Sequence, residues 1–392
     1  MSDKKLPTLE AASISQGTVV LVRIDCNVPL NEDGTIADTY RLDSVTDTLQ
    51  YLKDKQAKVV IAGAIGRPKG KRDDSLSTKV IAQYFEQNIF ESCAYIDQCC
   101  GEKVKELIAS TANGNAIMLE NLRFFEGEET NDDEFAKSLS ELADIYVNDA
   151  FGQSHRNQAS IVAITNYLPS YAGKCLQREV DALIKVLSGQ TEGTIAIVGG
   201  SKVSDKLGVI EALLERCDKI LVGGAMAYTF LKAQGKKIGN SLCEDSYVDK
   251  ASQWLATNKI VLPIDSVIAS DINSTDTSVA KDIDEGYAGF DIGPESVELF
   301  SQELENAGLV LWNGPMGVFE KEQFANGTNS IARLLASSSA FTVIGGGDSV
   351  AAIRELNLQD SFSHVSTGGG ATLEYIESGT LVGVQALLKR RR

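Results

Sequence analysis

The stretch Lys58 to Arg67, KVVIAGAIGR, decides how this chain folds. Lys58 to Ala62 is a short apolar run rich in β-branched side chains; glycine follows at once and an arginine closes the segment. That pattern predicts a strand that runs directly into a turn. The same unit recurs on either side of it. Strands are expected at Thr18 to Val22, Ala116 to Leu119 and Asp144 to Val147, with helices at Leu42 to Lys53, Thr78 to Gln87 and Asp132 to Leu142. Further on, strands are expected at Thr194 to Val198, Lys219 to Val222, Lys259 to Leu262, Leu309 to Leu311 and Phe341 to Ile344. Strands alternating with helices build a parallel sheet covered by helices, and 392 residues suffice for two such domains. The expected fold class is therefore α/β, two doubly wound halves. Between them Leu176 to Leu187, LQREVDALIKVL, carries Leu176, Val180, Leu183 and Leu187 at helical spacing, ahead of the turn Ser188 to Thr191. The domain boundary is expected there, giving a first domain 1–175 and a second from 176 onward, with a helical hinge at 176–191.

Composition narrows the function. The net charge is −17, which disfavours non-specific binding to nucleic acid or anionic membrane. Apolar stretches are too short to span a bilayer, and MSDKKLPTLE lacks the apolar core of a signal peptide, so a cytoplasmic protein is expected. Seven cysteines without CxxC pairs or nearby histidines read as reduced thiols rather than a zinc site. With only His155 and His364, mechanisms built on histidine relays have almost no material. The closing run Lys389 to Arg392 reads as a solvated tail.

Six arginines occur up to residue 160, and Arg23, Arg67, Arg123 and Arg156 fall at or just past the carboxyl ends of predicted strands. That edge is where open α/β sheets bind ligands. Arg41, at the start of a helix, can join them. Arginine forks recognise carboxylate and phosphate, so a small, multiply anionic substrate is expected. The second half carries glycines at the same edge: Gly199 and Gly200, Gly223 and Gly224, Gly345 to Gly347, and Gly368 to Gly370. Bare backbone ahead of a helix N-terminus suits nucleotide phosphates. Neither a GxxxxGK[ST] nor a GxGxxG pattern is present, against P-loop enzymes and nicotinamide dehydrogenases. Lys202 and Lys206 beside one glycine pair, and Asp348 beside a triplet, supply the cations and the magnesium-side carboxylate that phosphoryl transfer needs.

The segment RIDCNVP, Arg23 to Pro29, resembles the signature of the phosphoglycerate kinase family. The resemblance continues through GRP (Gly66 to Pro68), LENLRF (Leu119 to Phe124), NDAFG (Asn148 to Gly152) with His155 and Arg156, and GGSKVSDK (Gly199 to Lys206). It goes on through GGAMAYTFLK (Gly223 to Lys232), DIGPES (Asp291 to Ser296), WNGPMGVFE (Trp312 to Glu320), GGGDS (Gly345 to Ser349) and SHVSTGGGAT (Ser363 to Thr372), all in family order. It implies two Rossmann-like domains and a monomer that moves the acyl phosphate of 1,3-bisphosphoglycerate to Mg-ADP, reversibly, giving ATP and 3-phosphoglycerate in glycolysis. It further implies that the second domain is 176–378 and that residues 379–392 return to the first.

By the same resemblance, Asp25, Asn27, Arg41, Ala64, Gly66, Arg67, Arg123 and Arg156 would hold the glycerate substrate. Gly200, Lys202, Lys206, Gly224, Asn313, Glu320 and Gly346 to Ser349 would hold the nucleotide, with Glu320 near the ribose and Asp348 on the Mg2+ side. Arg41, Lys202 and the amides of Gly346, Gly347, Gly369 and Gly370 would surround the phosphoryl group in transit. Two positions depart from the family: Ala64 and Gln158 stand where it usually has histidine. A related kinase acting on another small carboxylate is the alternative those departures admit.

Overall fold

The computed structural model describes residues 5–189 and 191–389. Gln190 of the turn after the connecting helix, and the basic run from 390 onward, lie outside the described residues. The strands are β1 (Val19–Ile24), β2 (Lys58–Ala62), β3 (Cys93–Ile96), β4 (Ala116–Leu119), β5 (Ile145–Asp149), β6 (Ser170–Ala172), β7 (Thr194–Val198) and β8 (Lys219–Val222). Then come β9 (Ile260–Val261), β10 (Ser266–Ala269), β11 (Ser278–Ala280), β12 (Ala288–Ile292), β13 (Leu309–Asn313), β14 (Phe341–Gly345) and β15 (His364–Val365). One sheet has the order β3-β4-β2-β1-β5-β6 and a second the order β15-β14-β13-β7-β8-β9. Every pairing in both is parallel, with Val22 opposite Ile61 on one side and Val147 on the other. The expected α/β architecture, two parallel sheets flanked by helices, is what the chain forms.

Parallel strands must hide both faces under helices, and the side chains explain how. Val20, Val22 and Ile24 of β1 pack with Val59 and Ile61 of β2 and with Leu42, Leu49 and Phe85 from the covering helices, all buried. In each sheet chain order reverses beside a central strand, between β1 and β5 and between β7 and β13. Such reversals open a crevice at the carboxyl ends of the strands.

Several elements differ from expectation. The helix expected over Leu42 to Lys53 is two, Tyr40–Asp43 and Thr46–Asp54. β3 and β6 are short and lie outside the expected strands, while β15 falls within the run ahead of Gly368. A three-stranded antiparallel sheet, β11-β10-β12, was also unforeseen, because Ser278 and Val279 lie exposed in a polar stretch that reads as loop. Arg23 does not follow β1 but lies inside it, since the strand runs on to Ile24.

Contacts divide the chain into two compact units: one runs to Val180 and resumes at Thr380, the other is Asp181–Gly379. The division falls inside the helix Lys174–Leu187. That helix is anchored at its start, where Leu176 N–H donates to Asp149 Oδ1 at 3.0 Å and Lys174 N–H to Thr48 Oγ1 at 2.8 Å. Burial pushes the Asp149 carboxyl up to about 6. In the resumed segment the helix Val382–Leu388 follows Leu381, and Gly383 N–H donates to Ser154 O at 2.8 Å. Among the described residues no helix is long and apolar enough to cross a membrane.

Candidate active site

In the first unit the loops after β1, β2, β4 and β5 leave one edge of four neighbouring strands. Asp25 and Asn27 follow β1; Ala64, Gly66 and Arg67 follow β2; Arg123 lies in the turn Leu122–Phe124 after β4; Arg156 follows the turn Phe151–Gln153 after β5. Hydrogen bonds knit them together. Asn27 Oδ1 accepts from Gly66 N–H at 2.8 Å, and the Arg41 guanidinium donates to Asn27 O and lies 3.7 Å from Asp25 Oδ2. Arg123 donates from Nη1 to Gly66 O at 2.7 Å, from Nη2 to Gln153 Oε1 at 2.9 Å and from Nε to Glu129 Oε1 at 3.0 Å. Gln153 in turn donates to Asp25 Oδ1 at 3.2 Å.

The charge here is concentrated and only partly answered. Burial lowers the Arg123 guanidinium from its ordinary value and the Arg23 charge adds to this, with Arg156 contributing and Glu129 opposing. Burial also lowers His155, and Arg156 lowers it further. Asp25 Oδ2, His155 Nδ1, Arg156 Nε and Gln158 Oε1 are buried with no hydrogen-bond partner among the described residues. Native proteins rarely leave several such atoms together unless a ligand or water completes them. Arg67 is exposed and Arg41 half-buried, while Ala64 is buried and its carbonyl faces the Cys26 thiol at 3.6 Å.

Arg23 is the most enclosed of these arginines. It is fully buried, donates from Nε to Ser160 Oγ at 2.8 Å and lies 3.7 Å from Glu128 Oε1. Val22 and Ile24 face the core, so alternation turns Arg23 to the other face of the sheet, where an internal carboxylate meets it. Its Nη2 is buried without a hydrogen-bond partner among the described residues, and its charge acts on Arg123, so Arg23 is an enclosed cation behind the ligand edge.

In the second unit the glycine loops after β7, β8, β13, β14 and β15 share one edge. A cleft of about 220 Å³ is lined by Gly200, Lys202, Lys206, Asn313, Gly347 and Asp348, among others. A larger one of about 660 Å³ adjoins it through Gly200, Ser201, Pro315 and Asp348 and includes Gly224 and Glu320. Its walls add Leu242, Ile272 and Phe290, an apolar surface suited to a flat aromatic group. Lys206 Nζ donates to Asn313 Oδ1 at 2.7 Å and to its carbonyl at 3.0 Å, and burial lowers the amine to about 8. Asn313 Nδ2 is buried without a partner among the described residues.

Helices Gly347–Glu355 and Gly369–Ser378 begin side by side. A Cβ on Gly369 would come 2.9 Å from Gly346 Cα, and Gly346 itself sits at φ 91°, so the two loops touch only because both are glycine. Cβ positions on Gly347 and Gly370 would meet nothing within 4 Å. Two helix N-termini thus present open amides, an anion-binding arrangement. Ser349, expected among the nucleotide ligands, is fully buried and accepts from Gly314 N–H at 2.7 Å, bracing the loop from within. Lys202 is exposed on the rim.

Sequence reasoning missed Gln153 and Glu129, which hold Arg123, and the apolar walls of the larger cleft. Gln153 follows the quoted NDAFG segment directly, but nothing local marks a glutamine as a partner for an arginine 30 residues away.

A phosphoglycerate kinase family model matches residues 11–379. The phosphoglycerate kinase of Pseudothermotoga lettingae is 44% identical over 398 residues, covering 99% of this chain and 100% of that one. That of a Picosynechococcus species is 46% identical over 397 residues, with 99% of each covered. Among solved structures, phosphoglycerate kinase from Coxiella burnetii superposes with a TM-score of 0.89 at 36% identity, over 99% of this chain and 100% of that one. The enzyme from Pyrococcus horikoshii gives 0.85 at 31% identity, over 97% and 98%.

Proposed function

The chain belongs to the phosphoglycerate kinase family, and on that premise we propose how its residues divide the work. The activity is reversible phosphoryl transfer between ATP and the carboxyl group of 3-phosphoglycerate, a step of glycolysis. Asp25, Asn27, Arg41, Gly66, Arg67, Arg123 and Arg156 hold the phosphoglycerate. The single observation that carries this is the set of unsatisfied buried atoms Asp25 Oδ2, His155 Nδ1 and Arg156 Nε among guanidinium groups, which a polyanion with a hydroxyl would complete.

Gly200, Lys206, Gly224, Asn313, Glu320, Gly346, Gly347 and Asp348 hold the nucleotide, with Ser349 bracing their loop from within. The narrow cleft takes the phosphates and the larger, partly apolar one takes the base and sugar, with Glu320 towards the ribose. Among the described residues no group of three metal-ligating side chains is found, so Mg2+ would travel with the phosphates, with Asp348, which lines both clefts, as its protein carboxylate and Asp205 also lining the narrow cleft. Bound there it would neutralise phosphate charge. In the direction of ATP use, a carboxylate oxygen of 3-phosphoglycerate forms the bond to the γ-phosphorus and the bond to the ADP oxygen breaks. That nucleophile is ionised at pH 7, so no general base is required and the poverty in histidine costs nothing. Arg41, Lys202 and the amides of Gly346, Gly347, Gly369 and Gly370 neutralise charge as it shifts. The protein acts as a cytoplasmic monomer in this reading.

ATP-dependent phosphorylation measured across 3-phosphoglycerate, glycerate and related acids tests the substrate assignment. The 3-phosphate carries two further charges for the arginines, so 3-phosphoglycerate is expected to be preferred. A preference for unphosphorylated glycerate would contradict it.

A further inference from the structure

We propose that Glu129 and Gln158 are a positioning pair for Arg123, setting the affinity for phosphoglycerate without touching it; this rests on the substrate role given to Arg123 above. Glu129 Oε1 receives two hydrogen bonds at once, from Arg123 Nε at 3.0 Å and from Gln158 Nε2 at 2.8 Å. The two donors come from different loops, after β4 and after β5, so one carboxylate oxygen ties them.

The burial of the three groups is uneven. The side chains of Arg123 and Glu129 are 7% and 42% exposed, and Gln158 is buried at 2%. A carboxylate that open to water would ordinarily sample several rotamers, and an ion pair made by such a group adds little to stability. Gln158 removes that freedom: an almost fully buried amide fixes the oxygen that Arg123 needs. Arg123 lies among like charges, Arg23 and Arg156, and Glu129 is the opposite charge that balances them. With Nε committed to Glu129, Nη1 to Gly66 O and Nη2 to Gln153 Oε1, one N–H on each terminal nitrogen remains for a ligand, aimed by the other three bonds. Glutamine at 158 makes this donation without adding a further cation, which the histidine usual in the family would do when protonated.

Steady-state kinetics of Glu129→Ala, Gln158→Met and the double variant test the pair. Each single change is expected to raise KM for 3-phosphoglycerate roughly tenfold, with kcat and KM for ATP within about twofold of wild type. The double variant should be no worse than Glu129→Ala, because both act through one oxygen. Gln158→His, which keeps an N–H donor, should restore nearly the wild-type KM at pH 8. Unchanged KM for 3-phosphoglycerate in Glu129→Ala, or losses shared equally by both substrates, would overturn the proposal. Arg123→Ala separates the two levels: if it raises KM while Glu129→Ala does not, only the positioning role falls. If Arg123→Ala changes nothing, Arg123 is no substrate ligand and the positioning role falls with it.

Discussion

Lys206 carries a charge whose titration can be tested directly. Enclosure beside Asn313 lowers its amine to about 8 from 10.5, with Asp348 and Asp205 only partly opposing. The free protein has therefore lost about half of this charge at about pH 8, whereas bound phosphates favour the charged form. Nucleotide binding should take up a proton between pH 8 and 10, and affinity should be level only below about pH 7 and fall as pH rises through 8. The sign for stability is opposite: the charged amine is a cost below pH 8 that fades as pH rises towards 10.5. Titration calorimetry of Mg-ADP at pH 9 in two buffers of different ionisation enthalpy reads the uptake, and Lys206→Arg should abolish it. Equal heats for wild type in both buffers would exclude this role. Arg41 and Lys202 make a second case, since charge stabilised mainly in the transition state is lost in turnover. Arg41→Ala or Lys202→Ala should lower kcat on the order of a hundredfold with smaller changes in ligand affinity, and near wild-type turnover would contradict it. Residue types at strand ends were legible in the sequence, but the burial of each was not. Arg23 and Arg67 look alike as letters, and only packing against Glu128 turns one inward.

At the scale of elements, the paired glycine loops separate a folding role from a binding role. Gly369→Ala drives a methyl against Gly346 Cα and should lower the melting temperature by several degrees. Gly347→Ala and Gly370→Ala meet open space, so they should melt near wild type yet lose nucleotide affinity and turnover, because the methyl occupies the approach to the amides. Thermal melts beside Mg-ADP binding distinguish the two classes; full nucleotide affinity in Gly347→Ala would remove that amide from the site. The central strands were legible because each is a compact apolar run, closed at once by glycine in β2, β7 and β8, and β2, β4, β7 and β8 fall on the expected residues. The β10 to β12 sheet was not, for its strands are short, partly exposed and spaced by polar turns. Helix starts such as Tyr40 and Thr46 depend on turns whose geometry no periodicity records.

For the molecule as a whole, the guanidinium cluster belongs to one unit and the glycine loops to the other, and the chain passes between them through the helix Lys174–Leu187 and again near Thr380. A phosphoryl group moves only between atoms in contact, so with the proposed division of substrates the two units are expected to draw together when both substrates are bound. That requirement follows from the division of ligands between the halves, which the arginines and the glycines already announced in the sequence. Small-angle X-ray scattering on the free protein, on each binary complex and on the complex with 3-phosphoglycerate and a non-transferable Mg-ATP analogue measures it directly. The radius of gyration should fall in the ternary complex beyond its value in either binary complex; an unchanged radius, with calorimetry showing both ligands bound, would contradict the account.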